Sequence, residues 1–390
     1  MKEIYLDNSA TTRPCAAALE ACMHVLSEEW GNPSSLHARG LAAAHVLDAS
    51  RREVSLALGT QDGRLIFTAG GSEANNLAIF GRAYAKERFR RAGARIITTA
   101  GEHASVTAPL ARLKSEGYDI VEIPTRGGMV DLEALTHALT DNTVLVTMML
   151  VNNETGAHYD LKTAASIVHR GAPNAVFHVD ATQALFKVPF SARRDGFDMI
   201  TVSAHKVEGL KGCGALWISP ALIKSKGLAP RILGGGQEEG FRSGTENVAA
   251  IAAFSAACRY GRENFTVFSA QLAALRGHLL SLLEDREELS AVHVNLPAAS
   301  APHIINLTLP AIKSETMLHF LSREGICISS GSACSSHGRH TSPPLVAFGL
   351  SEREADCSIR VSLSHTNTEE ELSLFADALT RGVQTLSRIR

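Results

Sequence analysis

The chain has 390 residues, a formal net charge of -2 and 20% charged residues, which is long enough for two lobes around a cleft with ample material for a core. No long basic block is present, and this argues against nucleic acid or an anionic membrane as the main partner, because counterion release needs clustered Lys and Arg. Seven cysteines without C-x-x-C or metal-finger spacing indicate neither a disulfide framework nor a structural zinc site; with no charged-then-apolar leader and no run of ~18 apolar residues, a reducing, cytoplasmic location is expected.

In chain order, short β-branched runs alternate with segments of helical period. The runs are Arg64 to Phe67, Arg95 to Thr98, Thr143 to Val151, Ala175 to Val179, Met199 to Val202 and Ala215 to Ile218. Helices are predicted over Glu73 to Arg91, Ser105 to Glu116, Leu132 to Leu139 and Leu161 to Arg170, with Lys86 to Arg91 as a solvated basic face. This alternation predicts an α/β fold built on a mostly parallel sheet covered on both faces, with ligands at the carboxyl ends of its strands. A helix from about Glu246 to Tyr260 and a second from Phe268 to Leu283 follow. Three strand-like runs come next, His303 to Leu309, Ile326 to Ser329 and Cys357 to Leu363, before a last helix over Glu369 to Leu386. A smaller α+β domain comprising 1–14 and 264–390 is expected beside a large domain over 15–263.

Polar groups recur where the predicted strands of the large domain end. The strand to Thr68 runs into Ala69-Gly-Gly-Ser-Glu-Ala-Asn-Asn76 and a helix, so backbone N–H groups, joined by the Ser72 hydroxyl, can cradle an anion such as phosphate, although a capped Gly-rich turn reads equally well. Asp180 closes the run Ala175 to Val179, where a carboxylate can neutralise a protonated ring nitrogen or cap a helix. Lys206 follows in Val202-Ser-Ala-His-Lys206, ahead of Gly209-Leu-Lys-Gly-Cys-Gly214, and can form a Schiff base with a carbonyl cofactor. Anion cradle, carboxylate and amine in one sheet are what pyridoxal phosphate requires. Further on, Cys334 stands in Ser329-Ser-Gly-Ser-Ala-Cys-Ser-Ser-His-Gly-Arg-His340, a run of small residues that suits a reactive thiol carried to a substrate. His337 and His340 could join it around a metal, but in a Gly/Pro-rich stretch they read better as solvent-exposed.

From end to end the sequence resembles the cysteine desulfurases of the NifS/IscS type, a branch of the fold-type I pyridoxal-phosphate enzymes. The matching segments include Tyr5 to Thr12, Gly31 to Ser35, Thr68 to Asn76, Glu102-His103, Val151 to Gly156, Asp180 to Gln183, Ser203 to Lys206, Arg242 to Asn247, Ser329 to Ser335 and Ser358 to Ser362. The resemblance implies that Lys206 holds pyridoxal 5'-phosphate, that Asp180 pairs with its ring nitrogen and Gln183 contacts its ring hydroxyl, and that His103 stacks on the ring and moves protons. It implies that Gly71, Ser72, Ser203 and His205 hold the phosphate, joined by Thr245 of a neighbouring subunit in a homodimer. Asn153, which also meets the cofactor, and Arg360 would grip the substrate carboxylate. The implied reaction converts L-cysteine to L-alanine and leaves the sulfur on Cys334 as a persulfide, for an acceptor such as an iron-sulfur scaffold or a tRNA-thiolation protein. After Cys334 the chain reads Ser336 to Pro344, where the family commonly carries an acidic residue and proline in a helix-forming stretch. A selenocysteine lyase, a small-substrate aminotransferase of the same fold, and an idle scaffold or metal-binding partner are the rival readings.

Overall fold

The computed structural model describes residues 3–85, 93–309, 311–330 and 342–386. Cys334, His337 and His340, and the basic stretch Lys86 to Arg91, lie outside the described residues. In chain order the elements are β1 (Ile4–Tyr5), α1 (Ala16–Ser27), α2 (Ala38–Ala57), β2 (Arg64–Thr68), α3 (Gly71–Tyr84), β3 (Arg95–Thr99), α4 (Ala104–Ser115), β4 (Asp119–Ile123), α5 (Leu132–Ala138), β5 (Thr143–Met149), α6 (Leu161–Gly171), β6 (Val176–Asp180), β7 (Met199–Ser203), β8 (Gly214–Ile218) and α7 (Pro220–Lys224). The remainder is α8 (Val248–Glu284), β9 (His293–Val294), β10 (Ile304–Thr308), α9 (Ser314–Arg323), β11 (Ile326–Cys327), β12 (Ser329–Ser330), α10 (Pro343–Phe348), α11 (Glu352–Asp356), β13 (Ser358–Ser362) and α12 (Glu369–Leu386).

The large sheet has seven strands in the order β2-β8-β7-β6-β5-β3-β4. Only β8 runs against its neighbours β2 and β7, and the other pairings are parallel. Each strand splits its side chains between two cores, as the two-residue period of a pleated strand requires. Leu65, Phe67, Ile97, Phe177, Val179, Ala215 and Trp217 meet α2, α6 and the first half of α8, whereas Ile66, Ile96, Leu216 and Ile218 meet α3, α4 and α7. The edge strand β4 had no counterpart among the predicted runs: its Asp119 and Glu122 break the apolar pattern, as an edge strand open to water permits.

A third core belongs to the four-stranded sheet β12-β13-β10-β9 and includes Ile305, Leu307, Ile359, Val361 and Phe375. The N-terminal Ile4 and Leu6 join it through parallel pairing of β1 with β11. The two helices expected over Glu246 to Tyr260 and Phe268 to Leu283 are a single 37-residue helix, α8. Its first half packs on the large sheet and its second half, through Leu272, Leu275, Leu279 and Leu283, on the small one. No proline interrupts it, and Gly261 serves packing: a Cβ there would lie 2.5 Å from the Phe186 ring. The expected strand Ile326 to Ser329 is two short strands in different sheets, β11 beside β1 and β12 beside β13.

At the carboxyl end of β2, Gly70 has a φ of +155, a backbone conformation that L side chains rarely adopt. Gly214, the first residue of β8, lies so close to this turn that an added Cβ would stand 2.6 Å from the Gly70 carbonyl carbon. Gly214→Ala is therefore expected to lower stability by roughly 1–3 kcal/mol through overpacking, read as a lower urea midpoint; an unchanged midpoint would contradict this close approach.

Candidate active site

The strand ends converge on one region. β2 leads through Gly70 into α3, whose first residues Gly71 and Ser72 line a cavity of about 640 Å³ with Ser203, His205, Thr11 and Lys211. A Cβ on Gly71 would stand 3.2 Å from Thr182 Oγ1 and 3.4 Å from Ser203 Cβ, so a side chain there would crowd the wall. Backbone N–H groups at the start of a 14-residue helix, with two serine hydroxyls nearby, suit a phosphate. His205 is pushed down to about 4 by burial and by Lys206 and Lys211, so it is neutral at pH 7. Thr245 is exposed in this chain and does not line the cavity.

Asp180 ends β6 and is buried. Its carboxylate accepts hydrogen bonds from Asn75 Nδ2 at 2.7 Å and from the Thr182 backbone N–H at 2.9 Å. Two residues earlier on the same strand, and therefore on the same face, the fully buried His178 is hydrogen-bonded to Thr147 Oγ1 at 2.8 Å and Thr201 Oγ1 at 3.0 Å. Burial lowers it to about 4 against the pull of Asp180, so the imidazole is neutral at pH 7 and both its nitrogens are held by threonine hydroxyls.

Lys206 lies on the turn Ala204–Lys206 that follows β7. Its Nζ donates to the Ser9 carbonyl and, at 2.7 Å, to the Ala10 carbonyl. Ser9 O also accepts from Gln183 Nε2 at 2.9 Å, so the N-terminal segment joins the amine to the Gln183 side chain. His103 caps α4, with Nδ1 accepting from the Ser105 backbone N–H at 3.1 Å. Burial lowers this imidazole, Asp180 opposes the shift and Lys206 adds to it. His103 is thus both a helix cap and a member of the cluster, whereas Asp180 is followed by a turn and caps no helix.

Arg360, on β13, is also buried and donates through Nη1 to the Asn153 carbonyl and through Nη2 to Asp7 Oδ1, each at 2.8 Å. Its Nε and Asn153 Oδ1 are buried polar atoms without a partner among the described residues. A guanidinium with donor capacity left beside an unsatisfied amide oxygen is suited to a ligand carrying both carboxylate and amino groups. Glu154 follows Asn153; burial raises its carboxyl to about 7, and it is hydrogen-bonded to the Ser342 hydroxyl, the cap of α10.

Gly71, Ser72, His103, Asp180, Gln183, Ser203, His205 and Lys206 are therefore brought to one edge of the sheet, with Asn153 and Arg360 placed together by a contact between the large and small sheets. Sequence reasoning gave no role to Asn75, Glu102, Ser105, Glu154 or the backbone of Ser9 and Ala10. Each acts through a neighbour, and only the matched segments Tyr5 to Thr12, Thr68 to Asn76, Glu102-His103 and Val151 to Gly156 drew attention to most of them. The cofactor set fits these residues: the Gly71–Ser72 turn and Ser203 line the cavity, Thr182, whose N–H holds the buried Asp180 carboxylate, stands beside Gly71, and the Lys206 amine is held by the carbonyl of Ala10, which lines the same cavity. Among the described residues no cluster of three or more His, Cys, Asp or Glu could hold a metal ion, and no helix is long and apolar enough to cross a membrane.

Comparison with known proteins identifies a family. Residues 4–375 match the aminotransferase class-V family. The chain is 39% identical to a NifS/IcsS protein homolog of Lactobacillus delbrueckii, covering 99% of this chain and 98% of that one. It is 38% identical to a cysteine desulfurase of Cereibacter sphaeroides, covering 97% and 95%. Among solved structures, a NifS-like protein superposes with a TM-score of 0.89 at 32% identity, covering 99% of this chain and all (100%) of that one. SspA in complex with cysteine superposes with a TM-score of 0.80 at 28% identity, covering 94% and 100%.

Glu102, next to His103, is buried; its Oε1 accepts from the Thr99 hydroxyl and the Met149 N–H, and burial pushes the carboxyl from 4.5 up to about 8. The folded protein then keeps a proton that the unfolded chain has released, so this group's contribution to stability is lost as pH rises from about 4.5 to about 8. Glu102→Gln, which mimics the neutral acid, should gain on the wild type over that window by up to ~1.4 kcal/mol per pH unit in urea titrations; a difference that stays flat with pH would refute a protonated Glu102.

Proposed function

This chain belongs to the class-V aminotransferases and, within them, to the NifS/IscS-type cysteine desulfurases, and from that premise we propose that it converts L-cysteine to L-alanine with pyridoxal 5'-phosphate and passes the sulfur to Cys334. The observation that carries this reading is the convergence of Lys206, Asp180 and His103 beside the Gly71–Ser72 cradle, with Arg360 and Asn153 across from them. In it Lys206 would hold the cofactor, Asp180 would pair with its ring nitrogen, Gln183 would contact its ring hydroxyl, His103 would stack on the ring, and Gly71, Ser72, Ser203 and His205 would hold the phosphate. When bound, the cofactor supplies an electron-withdrawing ring conjugated to the substrate's α-carbon.

The residues of the chain do the rest. Asp180 carries the charge that keeps a ring nitrogen protonated, and Asn75 and Thr182 hold that carboxylate in place. Arg360 and Asn153 orient the substrate by its carboxylate, Arg360 exchanging part of its pairing with Asp7 for the ligand. His103, held neutral by burial, is the group suited to move protons beside the ring. Cys334 attacks the substrate sulfur as a thiolate: a sulfur–sulfur bond forms as the carbon–sulfur bond breaks, and the electron pair stays with the carbon skeleton, which takes up a proton and leaves as L-alanine. The described residues flanking Cys334 support its place in this reaction, because Ser329 pairs with Arg360 across β12 and β13 while Ser342 is hydrogen-bonded to Glu154.

A homodimer completes the reading, with the partner supplying a threonine at the position of Thr245. The exposure of Trp30, Leu36 and Leu233 supports an apolar contact surface, and sedimentation as a monomer would contradict it. A boundary between large and small domains near residue 264 falls inside α8; limited proteolysis that separates the lobes elsewhere would displace it. A cytoplasmic enzyme feeding an iron-sulfur scaffold or a tRNA-thiolation protein follows from the persulfide product, and fractionation of the cell tests that location.

Cys334→Ser should keep the cofactor's visible absorbance yet lose sulfide release from L-cysteine by at least about 10²-fold; full activity in this variant sinks the assignment. Supplying selenocysteine or a keto acid in the same assay separates a selenocysteine lyase or an aminotransferase, the latter of which does not need Cys334. Purified protein that never takes up pyridoxal phosphate would favour an idle scaffold.

A further inference from the structure

A directional hydrogen-bond chain joins Asp180 to His103. Asp180 Oδ2 lies 2.7 Å from Asn75 Nδ2, and an ionised carboxylate only accepts, so the Asn75 amide must turn its NH₂ toward it. The second proton of that NH₂ points to Ser105 Oγ at 2.8 Å. The serine oxygen thus accepts from Asn75, which leaves its own hydroxyl proton for another partner, and His103 Nδ1 stands 2.8 Å away. The Ser105 backbone N–H, a donor that cannot reverse, aims at the same Nδ1 from 3.1 Å. Two donors meet one ring nitrogen, so that nitrogen is the bare one.

We propose that Asn75 and Ser105 are positioning residues that hold His103 in the tautomer with its proton on Nε2. This deepens the reading of His103 given above and rests on it. A ring held in this way donates a hydrogen bond from Nε2, so whatever meets that nitrogen must accept one, which excludes an ammonium group there. The ring can take up a proton only at Nδ1, where the Ser105 hydroxyl would have to turn round and the Ser105 N–H would lose its acceptor. Both bonds favour the neutral ring. Among the described residues the charged groups acting on the imidazole are Asp180, from the end of β6, and Lys206, from the turn after β7; the first favours the charged ring and the second opposes it. Asp180 therefore acts on His103 in two ways, by its charge directly and by orienting Asn75 and Ser105.

The test uses the holoenzyme labelled with ¹⁵N-histidine, with the His103 ring signals assigned by their loss in His103→Gln. The wild type should show Nε2 protonated and Nδ1 bare near neutral pH. Ser105→Ala, which leaves only the backbone N–H on Nδ1, should show a measurably larger share of the Nδ1-protonated tautomer than the wild type and move the acid limb of kcat/KM for L-cysteine upward by roughly half a pH unit to one unit. Ser105→Thr, which restores the hydroxyl, should return both readouts to wild type, and Asn75→Ala, which frees the hydroxyl to turn, should resemble Ser105→Ala. A wild-type ring protonated on Nδ1, or a Ser105→Ala protein with unchanged nitrogen shifts and acid limb, would overturn the proposal. Because the nitrogen shifts are read without turnover, an inactive protein with the Nε2 tautomer would count against the desulfurase reading alone.

Discussion

A carboxylate buried at the end of a central strand is costly unless donors surround it, and Asp180 is in that position. Its neighbours answer this constraint. Asn75 reaches it from α3 and the Thr182 N–H from the turn beyond β6, while the neutral His178, two residues earlier on the strand, bridges β5 and β7 through Thr147 and Thr201. The same helix that delivers Asn75 begins with the Gly71–Ser72 cradle, so one element sets both the anion-binding turn and a donor to the carboxylate. The cradle at the end of β2 and the carboxylate at the end of β6 stand on the same sheet edge with two strands between them and would give a phosphorylated, protonated ring two fixed points of attachment.

The N-terminal segment couples this edge to the small sheet. Ser9 donates its N–H to Ser362 Oγ and offers its carbonyl to Lys206 and Gln183, while Asp7 pairs with Arg360. A short stretch of chain thus touches the amine and the amide through backbone carbonyls and the guanidinium through the Asp7 carboxylate. Most of its partners to the functional side chains are carbonyls, which have no signature in residue identity. The continuous helix α8 packs its first half on the large sheet and its second half on the small one, and so ties the two sheets together.

Much of this was legible in the sequence because period and position carried it. Strands β2, β3, β5, β6, β7 and β8 fall within or beside the predicted runs, and Ser72, Asp180 and Lys206 stand where those runs end. What escaped had physical reasons. β4 is an edge strand whose solvated side chains blur the alternation, and α8 passes through Gly261 without a break because that glycine admits the Phe186 ring. Asn75 and Ser105 are ordinary residues inside or at the start of helices, and only their contacts across thirty positions of sequence show what they do. Glu102 reads as a surface carboxylate until its burial is seen.

The central claim is that the groups gathered around Asp180 and Lys206 serve a sulfur transfer to Cys334. The holoenzyme incubated with L-cysteine carrying labelled sulfur, alkylated and digested, tests it most directly. The account predicts one labelled sulfur atom on the peptide containing Cys334, removed by a thiol reductant, with alanine formed in equal amount. Alanine formed while that peptide stays unlabelled, or label found on Cys327 instead, would contradict it.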